Sequence, residues 1–110
     1  MALEFETSKL DDVIYLRVRG VLDAQHAPEF GEQLRTLTAS ASGNRIVINL
    51  QQVPFMDSTG VAVLVQGSKL IRNNGGELMI SQVSPNVMRV FRVTLLDQFL
   101  TFVDEAEATP

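Results

Sequence analysis

The spacing of apolar residues switches back and forth between a period of two and a period of three to four, and that alternation constrains the fold more than any other feature. Leu3, Phe5 and Thr7 alternate with Glu4, Glu6 and Ser8, which predicts a short half-buried strand. Ile14, Leu16 and Val18 then alternate with Tyr15, Arg17 and Arg19, and the connection Lys9-Leu10-Asp11-Asp12 is short enough for an antiparallel hairpin. Ala27, Phe30, Leu34 and Leu37 change to helical spacing, with Pro28 suited to a first turn. Ile46-Val47-Ile48-Asn49-Leu50 is almost wholly apolar and β-branched, as a central strand is. A second helix is expected after Asp57, with Val61, Leu64, Val65, Ser68 and Ile71 on one stripe, stopping at Asn73-Asn74-Gly75-Gly76. Glu77 to Val83 reads as a strand. Ser84-Pro85 opens a third helix with Val87, Val90, Phe91 and Thr94 inward, and Phe99 to Val103 reads as the last strand.

The order is therefore β-β-α-β-α-β-α-β, an α/β fold. Strand–helix–strand steps imply parallel pairing, and the N-terminal hairpin makes the five-stranded sheet mixed. Arginines on the second face of the hairpin strand imply that this side meets water, so the helices should cover mainly the opposite side. The 110 residues suit one domain, 1–110, in which Thr38-Ala39-Ser40-Ala41-Ser42-Gly43-Asn44 is the linker-like stretch. The acidic tail from about 104 to 110 is expected to fray.

Composition removes several classes of chemistry. With no Cys there is no disulfide scaffold, thiolate zinc site or Cys nucleophile, and a single His excludes a multi-histidine metal cage. A net charge of −4, from 13 acidic and 9 basic residues, argues against a nucleic-acid partner, because phosphate neutralisation needs a basic excess. No apolar run approaches the roughly 20 residues of a membrane span, and the N-terminus lacks the basic start and long apolar stretch of a signal peptide. A cytoplasmic protein without membrane insertion is expected.

Enzyme motifs are missing as well. There is no phosphate-binding Gly-x-x-x-x-Gly-Lys-Ser/Thr loop and no Gly-x-Ser-x-Gly elbow. His26 stands at a predicted helix start, where it reads as a cap neighbour or a solvent-facing residue, and Asp11-Asp12 suit a hairpin turn. Val53-Pro54-Phe55-Met56-Asp57 is like the stretch that follows the phosphorylated aspartate of a receiver domain. The acceptor position there is Leu50, whose alkyl group cannot take phosphate. The informative stretch is Phe55-Met56-Asp57-Ser58-Thr59-Gly60-Val61, between the central strand and the second helix, at the sheet edge where open α/β folds carry their sites. Helix capping by Asp57 or Ser58 accounts for one hydrogen-bonding side chain, but three in a row ask for more. A hydroxyl at a helix N-terminus could also be a phosphoacceptor. Its phosphate would face free N–H groups and the positive end of the helix dipole.

On these residues the chain resembles the STAS domain, in particular the bacterial anti-sigma-factor antagonists. The resemblance runs through Gly20-Val21-Leu22-Asp23, Phe55-Met56-Asp57-Ser58-Thr59-Gly60, Asn74-Gly75-Gly76-Glu77-Leu78 and Ser84-Pro85 with Val87 and Phe91. Two positions depart from the family pattern. Thr94-Leu95-Leu96 stands where many members have Thr-Gly-Leu or Ser-Gly-Leu, and His26 stands where Thr or Asn is frequent.

The resemblance implies a partner switch rather than an enzyme, with no catalytic, metal or cofactor site in this chain. The unphosphorylated antagonist binds an anti-sigma factor that is also a serine kinase, and so frees the sigma factor. The kinase uses ATP to phosphorylate the serine after the motif aspartate, here Ser58 rather than Asp57 or Thr59, and the complex dissociates. A PP2C-type phosphatase restores the binding form; ATP and metal ions belong to these partners. The partner surface implied is Leu22 and Asp23 beside Asp57, Ser58, Thr59, Gly60 and Val61. Two other functions fit the same residues: a STAS subunit of a lipid transporter or other signalling assembly, and a small enzyme or nucleotide binder using the Ser58 surface.

Overall fold

A computed structural model describes residues 3–40 and 45–103. The element order is β1 (Glu4–Leu10), β2 (Val13–Arg19), α1 (Ala27–Ser40), β3 (Arg45–Gln52), α2 (Ser58–Asn73), β4 (Glu77–Val83), α3 (Pro85–Val93), α4 (Leu96–Phe99) and β5 (Thr101–Phe102). The sheet order is β1-β2-β3-β4-β5, with β1–β2 antiparallel and the other pairs parallel. This is the mixed five-stranded α/β sheet that the periods predict. Because each parallel strand is laid beside the last in one direction, crossovers of constant hand put every helix on the same face. Leu16, Ile48 and Ile80 of the strands meet Phe30 of α1, Leu64 of α2 and Phe91 of α3 in one buried core there.

The helix-free face differs from expectation. Arg17 and Arg19 are exposed on it, but Val13, Val47 and Met79 form a second buried cluster with Tyr15 and Val103 packed against it. Asn49 and Ser81 are buried as well. This face is therefore buried along its centre and open to water around it, at Arg17 and Arg19 and also at Ser8, Leu10 and Thr101. The hairpin turn is Asp11-Asp12 alone, and Asp11 takes a positive φ of 57°, a conformation that Asp tolerates.

Three other boundaries shift. The stretch read as a linker from Thr38 begins as helix: α1 continues to Ser40, and the buried Thr38 hydroxyl donates to the Leu34 carbonyl at 2.7 Å. Residues 41–44 of that stretch, and the tail 104–110, lie outside the described residues. At the end of α3, Val87 and Phe91 are buried, but Val90 is only half-buried and Thr94 is exposed as the C-cap, its hydroxyl donating to the Val90 carbonyl at 2.7 Å. The segment read as a strand from Phe99 splits into the turn of helix α4 and a two-residue β5, because Leu95 adopts a left-handed conformation (φ 63°, ψ 16°) that starts a new helix.

The parallel strands end irregularly, and this shapes the site. The pairing register slips between Arg17 and Arg19 against β3, and between Asn49 and Leu50 against β4. The Asn49 carboxamide oxygen accepts from the Gln51 N–H at 2.9 Å within the first irregularity. Ser84 does not cap its own helix; its hydroxyl donates to the Val53 carbonyl at 2.6 Å, tying the start of α3 to the loop that leads into α2.

Candidate functional site

The loops after β2 and β3 are zipped together at the C-terminal edge of the sheet. Leu22 forms a parallel bridge with Met56: its N–H donates to the Phe55 carbonyl at 3.0 Å, and its carbonyl accepts from the Asp57 N–H at 3.1 Å. Strand pairing thus resumes beyond the irregularity and carries Asp23 to the start of α2. A Cβ at Gly60 would lie 2.8 Å from the Leu22 carbonyl oxygen and 2.8 Å from Met56 Cγ, so only glycine lets the first turn of α2 come this close.

Asp57 is the N-cap of α2. Its carboxylate accepts from the Thr59 N–H at 2.9 Å, from the Gly60 N–H at 3.3 Å and from the Thr59 hydroxyl. The Thr59 hydroxyl is the main cause holding the Asp57 carboxyl below the usual carboxylate range; the Gly60, Thr59 and Ala24 backbone N–H groups act in the same direction against partial burial. The Ala24 amide belongs to the loop after β2, so it joins the two halves of the site.

Asp23 opens α1 in a similar way. Its carbonyl accepts from the His26 and Ala27 N–H groups at 3.1 and 2.8 Å, and its carboxylate accepts from the His26 backbone at 3.1 Å and from His26 Nδ1 at 2.7 Å. The hydrogen bond from the His26 ring holds the Asp23 carboxyl below its ordinary value. His26 is indeed a cap neighbour, but it is buried rather than facing solvent, because its ring folds back onto Asp23.

Of three consecutive polar side chains, two are therefore committed to the cap. Ser58, the first residue of α2, is exposed, and its hydroxyl has no partner among the described residues. Asp23, Asp57, Thr59 and Val61 are half-buried around it. Leu22 and Gly60 do not share this surface: both are buried, and they support it from below. Leu22 sinks because it pairs with Met56, a contact between loops that no local period reports. The partner surface implied by the resemblance leaves out Phe55, which is 49% exposed beside the motif. A bulky aromatic in a loop, outside either period, was the available signal. Among the described residues no cluster of His, Cys, Asp or Glu could hold a metal ion, and no helix is long and apolar enough to cross a membrane. The arrangement offers an exposed hydroxyl at a helix N-terminus, with two carboxylates of lowered pKa and an exposed aromatic in the two paired loops that flank it.

Comparison with known proteins places this geometry in context. Residues 4–108 match the model of the STAS domain. The anti-sigma-B factor antagonist of Staphylococcus aureus is 34% identical over 100 residues, which is 91% of this chain and 92% of that protein. An anti-sigma factor antagonist from Mycobacterium paratuberculosis superposes with a TM-score of 0.80 at 22% identity, covering 91% of this chain and 84% of that one. The Bacillus anti-sigma factor antagonist SpoIIAA in its unphosphorylated form gives a TM-score of 0.78 at 23% identity, covering 96% and 92%. Its phosphorylated form gives 0.70 at 22% identity, covering 96% of each chain. At such identities the superpositions speak to the fold.

Proposed function

Since the chain belongs to the STAS domain family, we propose that it is an anti-sigma factor antagonist in a phosphorylation-controlled partner switch, with Ser58 as the acceptor. The unphosphorylated chain binds a cytoplasmic anti-sigma factor that is also a serine kinase, and the sigma factor is released. The observation that carries this reading is the exposed, unpartnered Ser58 hydroxyl at the start of α2, between side chains already committed to the cap. The chain is acted upon: the kinase brings ATP, transfers its terminal phosphoryl group to the Ser58 oxygen and takes up the hydroxyl proton, and a PP2C-type phosphatase hydrolyses the ester.

The electrostatics act in opposite senses in the two states. In the free protein a phosphate on Ser58 stands at the positive dipole end of α2, which favours an anion by about 0.3–1 kcal/mol, and water screens it from the Asp57 carboxylate that holds the first-turn N–H groups, so the fold tolerates it. Within a complex the same group adds about 1.5 to 2 negative charges beside the ionised Asp57 and Asp23 carboxylates, in an interface closed to water. Desolvated like charges cost several kcal/mol, and about 3 kcal/mol weakens binding roughly a hundredfold. Phe55 supplies the apolar contact beside the switch.

The test is binding of the purified anti-sigma factor to wild type, Ser58→Ala and Ser58→Asp, with phosphopeptide mapping of the chain from its native host. Ser58→Ala binds with or without ATP, Ser58→Asp binds at least tenfold more weakly, and the phosphate maps to Ser58. Phosphate on Asp57 or Thr59, or wild-type affinity of Ser58→Asp, overturns the assignment. Recovery of an unphosphorylated chain with a membrane ATPase instead would identify a transporter subunit.

A further inference from the structure

The outer seam between α1 and α2 is not closed. It holds a void of about 250 Å³ between Gly31, Leu34 and Arg35 of α1 and Val63, Gln66 and Leu70 of α2. Two glycines face this seam for different reasons. At Gly67 a Cβ would stand 2.6 Å from Leu34 Cδ1, so the helices approach only because that side chain is missing. At Gly31 a Cβ would meet nothing nearer than the Arg35 guanidinium at 3.6 Å, with Val63 Cγ1 at 3.8 Å, which is ordinary contact. Gly31 lies inside α1 with no positive φ, so neither packing nor backbone geometry asks for glycine there. A helix interior tolerates glycine less well than any residue but proline. What Gly31 preserves is depth in the seam.

The seam opens one helical turn below Ala27 and Thr59, at the edge of the Ser58 surface. Gly31 lies one helical turn beyond Ala27, whose N–H is held by the Asp23 carbonyl, and Val63 lies one turn beyond Thr59. At 1.5 Å per residue, the void begins about 6 Å along the helices from Ala27 and Thr59. Thr59, Val63, Gln66 and Leu70 are spaced four, three and four apart, so they form one stripe of α2 leading away from Thr59, the residue next to Ser58. The mouth is rimmed by the Glu32–Arg35 ion pair, an apolar slot with a polar edge.

We infer that the seam is the second half of the docking surface: the anti-sigma factor that covers Ser58 inserts an aliphatic or aromatic side chain between Gly31 and Val63 and rests on Leu70. The inference builds on the reading of Ser58 as the switch within that interface. Titration calorimetry of the full chain against the purified anti-sigma factor tests both, using wild type, Gly31→Ala, Leu70→Asp and Ser58→Asp. Gly31→Ala is expected to melt higher than wild type, because alanine favours the helix and finds only ordinary contacts, yet to bind about tenfold more weakly. A structural role alone would move both quantities together. Leu70→Asp is expected to keep its circular dichroism and lose a similar factor in affinity. Wild-type affinity in both seam variants, with Ser58→Asp still weakened, overturns the seam and leaves the switch standing. Undiminished binding by Ser58→Asp overturns the switch reading, and the seam with it. If sedimentation shows that Gly31→Ala alters self-association while anti-sigma affinity is unchanged, the occupant is a second copy and the inference fails.

Discussion

Asp57 shows how much one side chain does at this site. It caps α2, takes the Thr59 hydroxyl out of play and meets the Ala24 amide of the opposite loop. Replacing it by alanine is expected to cost about 1 kcal/mol, the usual worth of an N-cap. The sign of the pH dependence follows from its lowered pKa. A carboxyl that is more acidic in the folded state stabilises the fold above its unfolded value, near 3.9, and the stabilisation is lost as pH falls through the folded value. Thermal melts should therefore show the largest deficit for Asp57→Ala near neutral pH, narrowing below about pH 4. A deficit that stays constant down to pH 2 would mean the carboxylate charge contributes nothing. The residues of the motif were legible in the sequence as a cluster of hydrogen-bonding groups, but their division of labour was not. Which hydroxyl is spent on the cap depends on rotamers that only the folded turn sets.

At the scale of elements, the two hairpin strands and the three long helices announce themselves by period, and the central strand by its apolar, β-branched run. The elements that sequence reasoning misplaced are those set by contacts or backbone states without a period. α4 is the plainest case. The α3–α4 corner turns through Leu95 at φ 63°, a conformation that favours glycine, and without glycine as punctuation the following residues read as one strand. Leu95 is 62% exposed, so its side chain gives the core little in return. A left-handed leucine costs about 1–2 kcal/mol, whereas glycine's extra chain entropy costs about 0.5–1 kcal/mol. Leu95→Gly is accordingly expected to raise the melting temperature by about 2–5 °C, as differential scanning calorimetry would show. A lower melting temperature would mean that the exposed leucine packs more than its accessibility suggests. The burial of Leu22 was hidden for a related reason: the loop after β2 looks like an exit to the surface until the loop after β3 comes alongside it.

For the whole molecule, the proposed switch is a change of surface charge on an unchanged body. The net charge of −4 becomes about −6 with one phosphate, yet nothing in the fold has to break to receive it, since the Ser58 hydroxyl holds no contact among the described residues. Ser58→Asp should then melt close to wild type, because the favourable end of α2 and the neighbouring Asp57 carboxylate act on its charge in opposite senses, and added salt should weaken both. A marked loss of stability would mean that release of the partner comes from unfolding. The bridge between Leu22 and Met56 has one more implication, for the life history of the chain. Two segments far apart in sequence must come into register before Asp23 and Ser58 can lie side by side, so no nascent or half-folded chain displays the complete surface. Under the proposed function, a partner that recognises this surface would bind only chains whose two loops are already in register.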